Sequence, residues 1–253
     1  TEKSPCWLRV VSRGRPGHSS VPPRDAAVPR LLAALARVQK LETPVRVVPP
    51  VAAMFAAMAP LAPEDDREGF ANLADGLEND PAFRNRFLSD RHYAAMVRNT
   101  LTTTVLQGSS RTNMIPTIAS AHLDARLLPD ESCSAFADQV RSLLADPGIG
   151  VEILLHFESE LSPTDTPLYR AIERVAAVED PGARVVPGMN AGFTRGHRAG
   201  EERGVHGPDE RVSVENLERG IDALIAILLE LDRVEAGWNP LPEVSDRPMQ
   251  GVE

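Results

Sequence analysis

Between Ala119 and Leu128, Ala121, Leu123, Ala125 and Leu127 alternate with His122, Asp124 and Arg126. A period of two sends successive side chains to opposite faces, so this stretch predicts a strand with one face in a core and the other free. One-sided strands of this kind belong to antiparallel sheets, and the rest of the chain must supply the partners and the cover. Cys6 to Gly14 is a second β-rich run, ended by Gly and Pro; Leu101 to Leu106 is a third and Val151 to Phe157 a fourth. Two amphipathic helices are interleaved. Asp25 to Gln39 carries Val28, Leu31, Leu32, Leu35 and Val38 on one stripe, and Ser132 to Leu144 carries Phe136, Val140, Leu143 and Leu144 behind a serine-type start and ahead of Asp146-Pro-Gly148. The order is β-α-β-β-α-β, the ferredoxin-like split pattern of a four-stranded antiparallel sheet with two helices on one face, and the fold class predicted is α+β.

Two parts of the chain fall outside that pattern. After Pro44, Pro49 and Pro50, residues from about 51 to 100 are Ala-rich and acidic, with Phe70, Leu73, Leu77, Phe83, Phe87 and Met96, and read as a helical insertion. Beyond Ser162 come a helix from Thr166 to Val178, a short strand around Ala183 to Val186, a loop rich in glycine from Gly188 to Gly207, and an apolar helix from Val214 to Val234. These pieces bury little alone and are expected to belong to a larger α/β layer. The domain division expected is 1–161 and 162–253.

A net charge of −9 and an aromatic content of 4% argue against a nucleic-acid surface. No apolar run approaches the length needed to cross a bilayer. Cys6 and Cys133 are too few and too far apart for a disulfide framework or a Cys-rich zinc site, and are expected to be buried thiols. Few cysteines and no signal segment lead to a cytoplasmic expectation. The opening Thr-Glu-Lys-Ser, without an initiator methionine, is expected of a trimmed or partial chain.

Polar residues stand out at five places. His18 lies in Gly14-Arg-Pro-Gly-His-Ser-Ser-Val-Pro22, which suits a tight turn at a strand end; taken alone, it also reads as a surface loop histidine. Asn113 and Arg126, in Asn113-Met-Ile-Pro116 and Asp124-Ala-Arg126, place an amide and a guanidinium near each other as a carboxylate clamp, or else form a strand turn and an ion pair. His122-Leu-Asp124 mimics a zinc-binding spacing but lacks companions. Glu201 and Glu202 read as a solvated charged loop, and His206, in Gly204-Val-His206-Gly-Pro-Asp-Glu-Arg211 ahead of a helix, is displayed as a metal ligand would be.

Taken in order, Gly14 to Pro22, Asn113 to Pro116 with Asp124 to Pro129, Gly192-Phe-Thr194, and His206 to Arg211 resemble the M20 family of zinc metallopeptidases and aminoacylases. The helical insertion looks most like the carboxypeptidase S and N-acyl-amino-acid hydrolase branch. The resemblance implies that residues 1–161 form a lid, or dimerisation, domain and 162–253 the C-terminal portion of a zinc-binding catalytic domain. It implies amide hydrolysis of an N-acyl amino acid or small peptide by a homodimer with two zinc ions, cobalt or manganese being possible substitutes. His18 is implied as the oxyanion donor reaching a partner subunit's site, Asn113 and Arg126 as carboxylate-binding residues, Thr194 as part of the substrate-facing loop, and His206 as the last zinc ligand. The remaining ligands and the general base precede the lid in the family and have no counterpart here. Arg195 also stands where the family has an aspartate. The chain alone is therefore expected to be inactive, with a noncatalytic dimerisation or binding fragment as the alternative.

Overall fold

A computed structural model describes residues 1–182, 184–189 and 214–233, the last forming one helix. The elements are β1 (Ser4–Arg13), β2 (Gly17–His18), α1 (Ala27–Val38), α2 (Pro49–Met58), α3 (Arg67–Ala71), α4 (Leu73–Asn79), α5 (Pro81–Ser89) and α6 (Arg91–Met96). They continue as β3 (Thr100–Gln107), β4 (Met114–Ile115), β5 (Ile118–Leu127), α7 (Cys133–Leu144), β6 (Ile149–His156), α8 (Pro167–Glu179) and α9 (Val214–Arg233). The chain divides into two units: Thr1–Ser162 with the segment from Val186, and Pro163–Val185 with the C-terminal segment that carries α9.

In the first unit the sheet order is β3-β5-β1-β6, and every neighbouring pair is antiparallel. This is the ferredoxin-like α+β arrangement that the alternation predicts. Register explains which face is buried. Leu8 stands opposite Leu123 and Val10 opposite Ala121, so these side chains share one face, where Leu31 and Leu35 of α1 and Phe136 and Val140 of α7 cover them. The other face carries Trp7, Arg9, His122, Asp124 and Arg126. At the end of β1, a Cβ on Gly14 would lie 2.1 Å from the Asp25 carbonyl oxygen and 2.5 Å from the Ala27 nitrogen. Only glycine lets the strand leave the sheet beneath the start of α1.

The insertion builds a core of its own. Phe55 is fully buried, with its ring centroid 4.9 Å from those of Phe70, Phe87 and Tyr93. Edge-to-face contact with Phe70 and Tyr93 suits the charge distribution of aromatic rings. The short helices are held by caps: the Asp80 carboxylate accepts from the Ala82 and Phe83 amides, and that of Asp90 from His92 and Tyr93.

In the second unit, Thr166 caps α8 by accepting from the Tyr169 amide, and Arg174 of α8 pairs with Glu230 of α9. Ile221, Leu224, Ile225, Leu228 and Leu229 of α9 remain exposed.

Three expectations are corrected. Cys6 and Cys133 are joined as a disulfide, because β1 and the first turn of α7 bring their Cα atoms within 5.4 Å across 127 residues of sequence. No strand forms around Ala183 to Val186 among the described residues: Arg184, Val185 and Val186 are irregular and run into Pro187, which has no amide to add to a ladder. The stretch read as a loop after β1 contains β2, paired with β4.

Candidate functional site

Pairing continues past the end of the main sheet. Arg13 stands opposite Ile118, the Gly14 amide donates to the Thr117 carbonyl at 2.9 Å, and Gly17 and His18 then pair with Ile115 and Met114. The ribbon is closed by the Ser19 amide donating to the Asn113 carbonyl at 3.1 Å and the Val21 amide donating to the His18 carbonyl at 3.1 Å. Arg15 pairs with Asp25 at 2.8 Å, and this hydrogen bond holds the Asp25 carboxyl below its ordinary range. Backbone bonds therefore fix His18 and Asn113 side by side, both exposed.

Arg126 is not brought to them. It lies opposite Pro5 and Thr100 at the other end of β5. Eight residues separate it from Ile118, roughly 26 Å at the rise of an extended strand, and the ribbon continues beyond Ile118. The two ends of the sheet thus carry different groups. Arg126 shares its end with the place where the chain passes to the second unit, since the Ser162 amide donates to Thr1 Oγ1 at 2.9 Å and the Ser159 amide to Ser4 Oγ at 3.0 Å. Its Nε and Nη2 donate to the two Asp124 oxygens at 2.8 and 3.1 Å. That fork uses the Nε–Nη2 edge of the guanidinium.

Lys3 lies beneath the same end, and no local sequence pattern marks it, because its partners are more than 90 residues away. It is 1% exposed, and its Nζ donates to the Ala95 carbonyl at 3.1 Å, the Arg98 carbonyl at 2.8 Å and Thr100 Oγ1 at 3.3 Å. Burial, then repulsion from Arg126 and Arg98, lowers its pKa to about 7, with Glu131 and Asp124 opposing. It ties the insertion to the sheet below Arg126.

His122 and Asp124 share a face, as their spacing requires, but Asp124 is committed to Arg126. No three histidine, cysteine, aspartate or glutamate side chains come together as a metal site among the described residues. Thr194, Glu201, Glu202 and His206 lie outside the described residues.

The first unit is thus an α+β domain with His18 and Asn113 at one end of its sheet and Arg126 at the other, and no cluster of candidate metal ligands among the described residues. Residues 1–152 match the peptidase dimerisation domain of the M20 family, and the chain belongs to that family. It is 25% identical to mouse N-fatty-acyl-amino acid synthase/hydrolase PM20D1 over 267 residues, covering 97% of this chain and 52% of that protein. It is 26% identical to human aminoacylase-1 over 259 residues, covering 93% of this chain and 53% of that protein. The chain thus spans about half the length of these curated relatives. The yeast dipeptidase Dug1p from Saccharomyces cerevisiae has a similar fold, with a TM-score of 0.59 at 12% identity over 93% of this chain and 56% of that one. No helix among the described residues is long and apolar enough to cross a membrane.

Proposed function

We propose that the chain is the lid and C-terminal portion of an M20-type hydrolase that cleaves the amide bond of an N-acyl amino acid or small peptide and works as a homodimer through the lid. The observation that carries this reading is the ribbon in which His18 pairs with Met114 and the Ser19 amide bonds the Asn113 carbonyl, which leaves His18 and Asn113 exposed side by side at the sheet end opposite Thr1 and Ser162. Assembly through the lid is supported by the match of residues 1–152 to a peptidase dimerisation domain.

The roles follow from the chemistry each group offers. The His18 ring donates a hydrogen bond to the oxygen that gains charge as the amide carbon is attacked, and Asn113 beside it contacts the substrate. Arg126, held flat by Asp124, offers its second edge to the substrate carboxylate in its own subunit's site. Each complete site then combines Arg126 of one subunit with His18 and Asn113 of the other. Thr194 is proposed as a residue of the substrate-facing loop, and His206 as this chain's share of the metal ligands. Zinc, when bound, supplies polarisation of the scissile carbonyl and an acidified water. The chain by itself is proposed to be inactive.

The test is hydrolysis of N-acyl amino acids by the whole protein. His18→Ala is expected to lower kcat by about 10²- to 10³-fold, the usual cost of losing one oxyanion donor. Unchanged turnover with dimers intact would remove His18 from the mechanism. A noncatalytic binding fragment is the reading left if the whole protein turns over no amide.

A further inference from the structure

The His18 ring is held by its own turn. The Ser20 amide nitrogen donates to His18 Nδ1 at 3.2 Å, and Ser20 Oγ lies 2.8 Å from the same atom. A backbone N–H has only one role. Nδ1 must therefore present its lone pair, and the single hydrogen of the neutral ring resides on Nε2. The Ser20 hydroxyl rotates freely and adds a second donor to that lone pair. The frame that aims these donors is itself fixed, because the bonds from Ser19 to Asn113 and from Val21 to His18 set the turn while Met114 pairs with His18.

The structure assigns Ser20 as a positioning residue: through its amide, and secondarily its hydroxyl, it locks His18 as the tautomer that donates from Nε2. The inference rests on reading His18 as an oxyanion donor and supplies what that reading lacks. An imidazole with its hydrogen on Nδ1 would turn an Nε2 lone pair toward a developing negative charge and repel it. The turn removes that arrangement without requiring a positive ring.

The experiment is ¹⁵N NMR of the histidine ring in the whole protein, in alkaline buffer. The expected result is a hydrogen on Nε2, an unprotonated Nδ1, and a scalar coupling across the hydrogen bond from the Ser20 amide to Nδ1. Ser20→Ala retains the amide and should keep all three signals, with kcat reduced less than about threefold. A Ser20→Pro chain lacks the amide and should lose the coupling, admit the Nδ1-protonated form and show a fall in kcat at unchanged KM. A ring protonated on Nδ1, or no coupling from Ser20 in the unmodified protein, would overturn the assignment. Because the ring signals need no turnover, an inactive protein with the predicted signals would sink the hydrolase reading alone. An active one without them would sink only the role of Ser20.

Discussion

Reduction of the Cys6–Cys133 bridge removes a covalent constraint while leaving every side chain in place. The bridge spans a sequence separation of 127 residues, taking in β1, the insertion and β5 before α7 begins. Loop-closure entropy for a loop of that length is about 16 cal/mol/K, or about 5 kcal/mol at 25 °C, against about 2–4 kcal/mol for a typical bridge. With a urea slope of about 2 kcal/mol/M, the midpoint of the first unit should fall by about 1 to 2.5 M on reduction. Trp7 sits next to Cys6 in β1, and its fluorescence in a Trp238→Phe background reports on this unit. The measurement is a urea titration with and without dithiothreitol, with a Cys6→Ala, Cys133→Ala protein as the control that should ignore the reductant. An unchanged midpoint, together with titration of both thiols in oxidised, unfolded protein, would refute the reasoning. Disulfides persist mainly in oxidising compartments, so the effect belongs to oxidised protein.

Lys3 makes stability depend on pH. Its folded pKa of about 7 lies below the ordinary 10.5, so the unfolded chain holds the extra proton between those values and stability rises with pH across that window. Urea midpoints should be higher near pH 9.5 than near pH 7 by the equivalent of a few kcal/mol at most, and Lys3→Met should flatten the difference; an equal slope in the variant would exclude Lys3 as its source. Asp124→Asn weakens the fork that holds Arg126 and should cost about 1 kcal/mol in stability, since both partners are less than one-third exposed. In the whole protein it should raise KM more than it lowers kcat, and unchanged kinetics would show that the orientation of Arg126 does not matter.

The main sheet was legible because periodicity speaks directly to which face is buried: Ala121, Leu123, Ala125 and Leu127 point into the core that their alternation predicts. The stripes of α1 and α7 are readable for the same reason, while the insertion is legible only as an Ala-rich, acidic stretch after Pro44, Pro49 and Pro50. Other features depend on distance relations that no local pattern carries. Gly17–His18 and Met114–Ile115 are too short to show a period, so in the sequence the ribbon that carries His18 reads as a loop. Cys6 meets Cys133, and Lys3 meets Ala95, Arg98 and Thr100, only because the folded topology joins segments about a hundred residues apart. Asn113 and Arg126 look close in sequence, yet an extended strand converts 13 positions into separation rather than contact, and the two residues serve opposite ends of the sheet.

That separation carries the central claim, that each site takes Arg126 from one subunit and His18 from the other. Two whole-protein variants, His18→Ala and Arg126→Ala, should each be nearly inactive alone. When they are mixed and allowed to exchange subunits, half of the dimers are mixed and one of the two sites in each has both native residues, so activity should return to about one quarter of the unmodified level. Activity that stays at the sum of the two separate variants, with exchange demonstrated, would mean that His18 and Arg126 act within one subunit and would contradict the account.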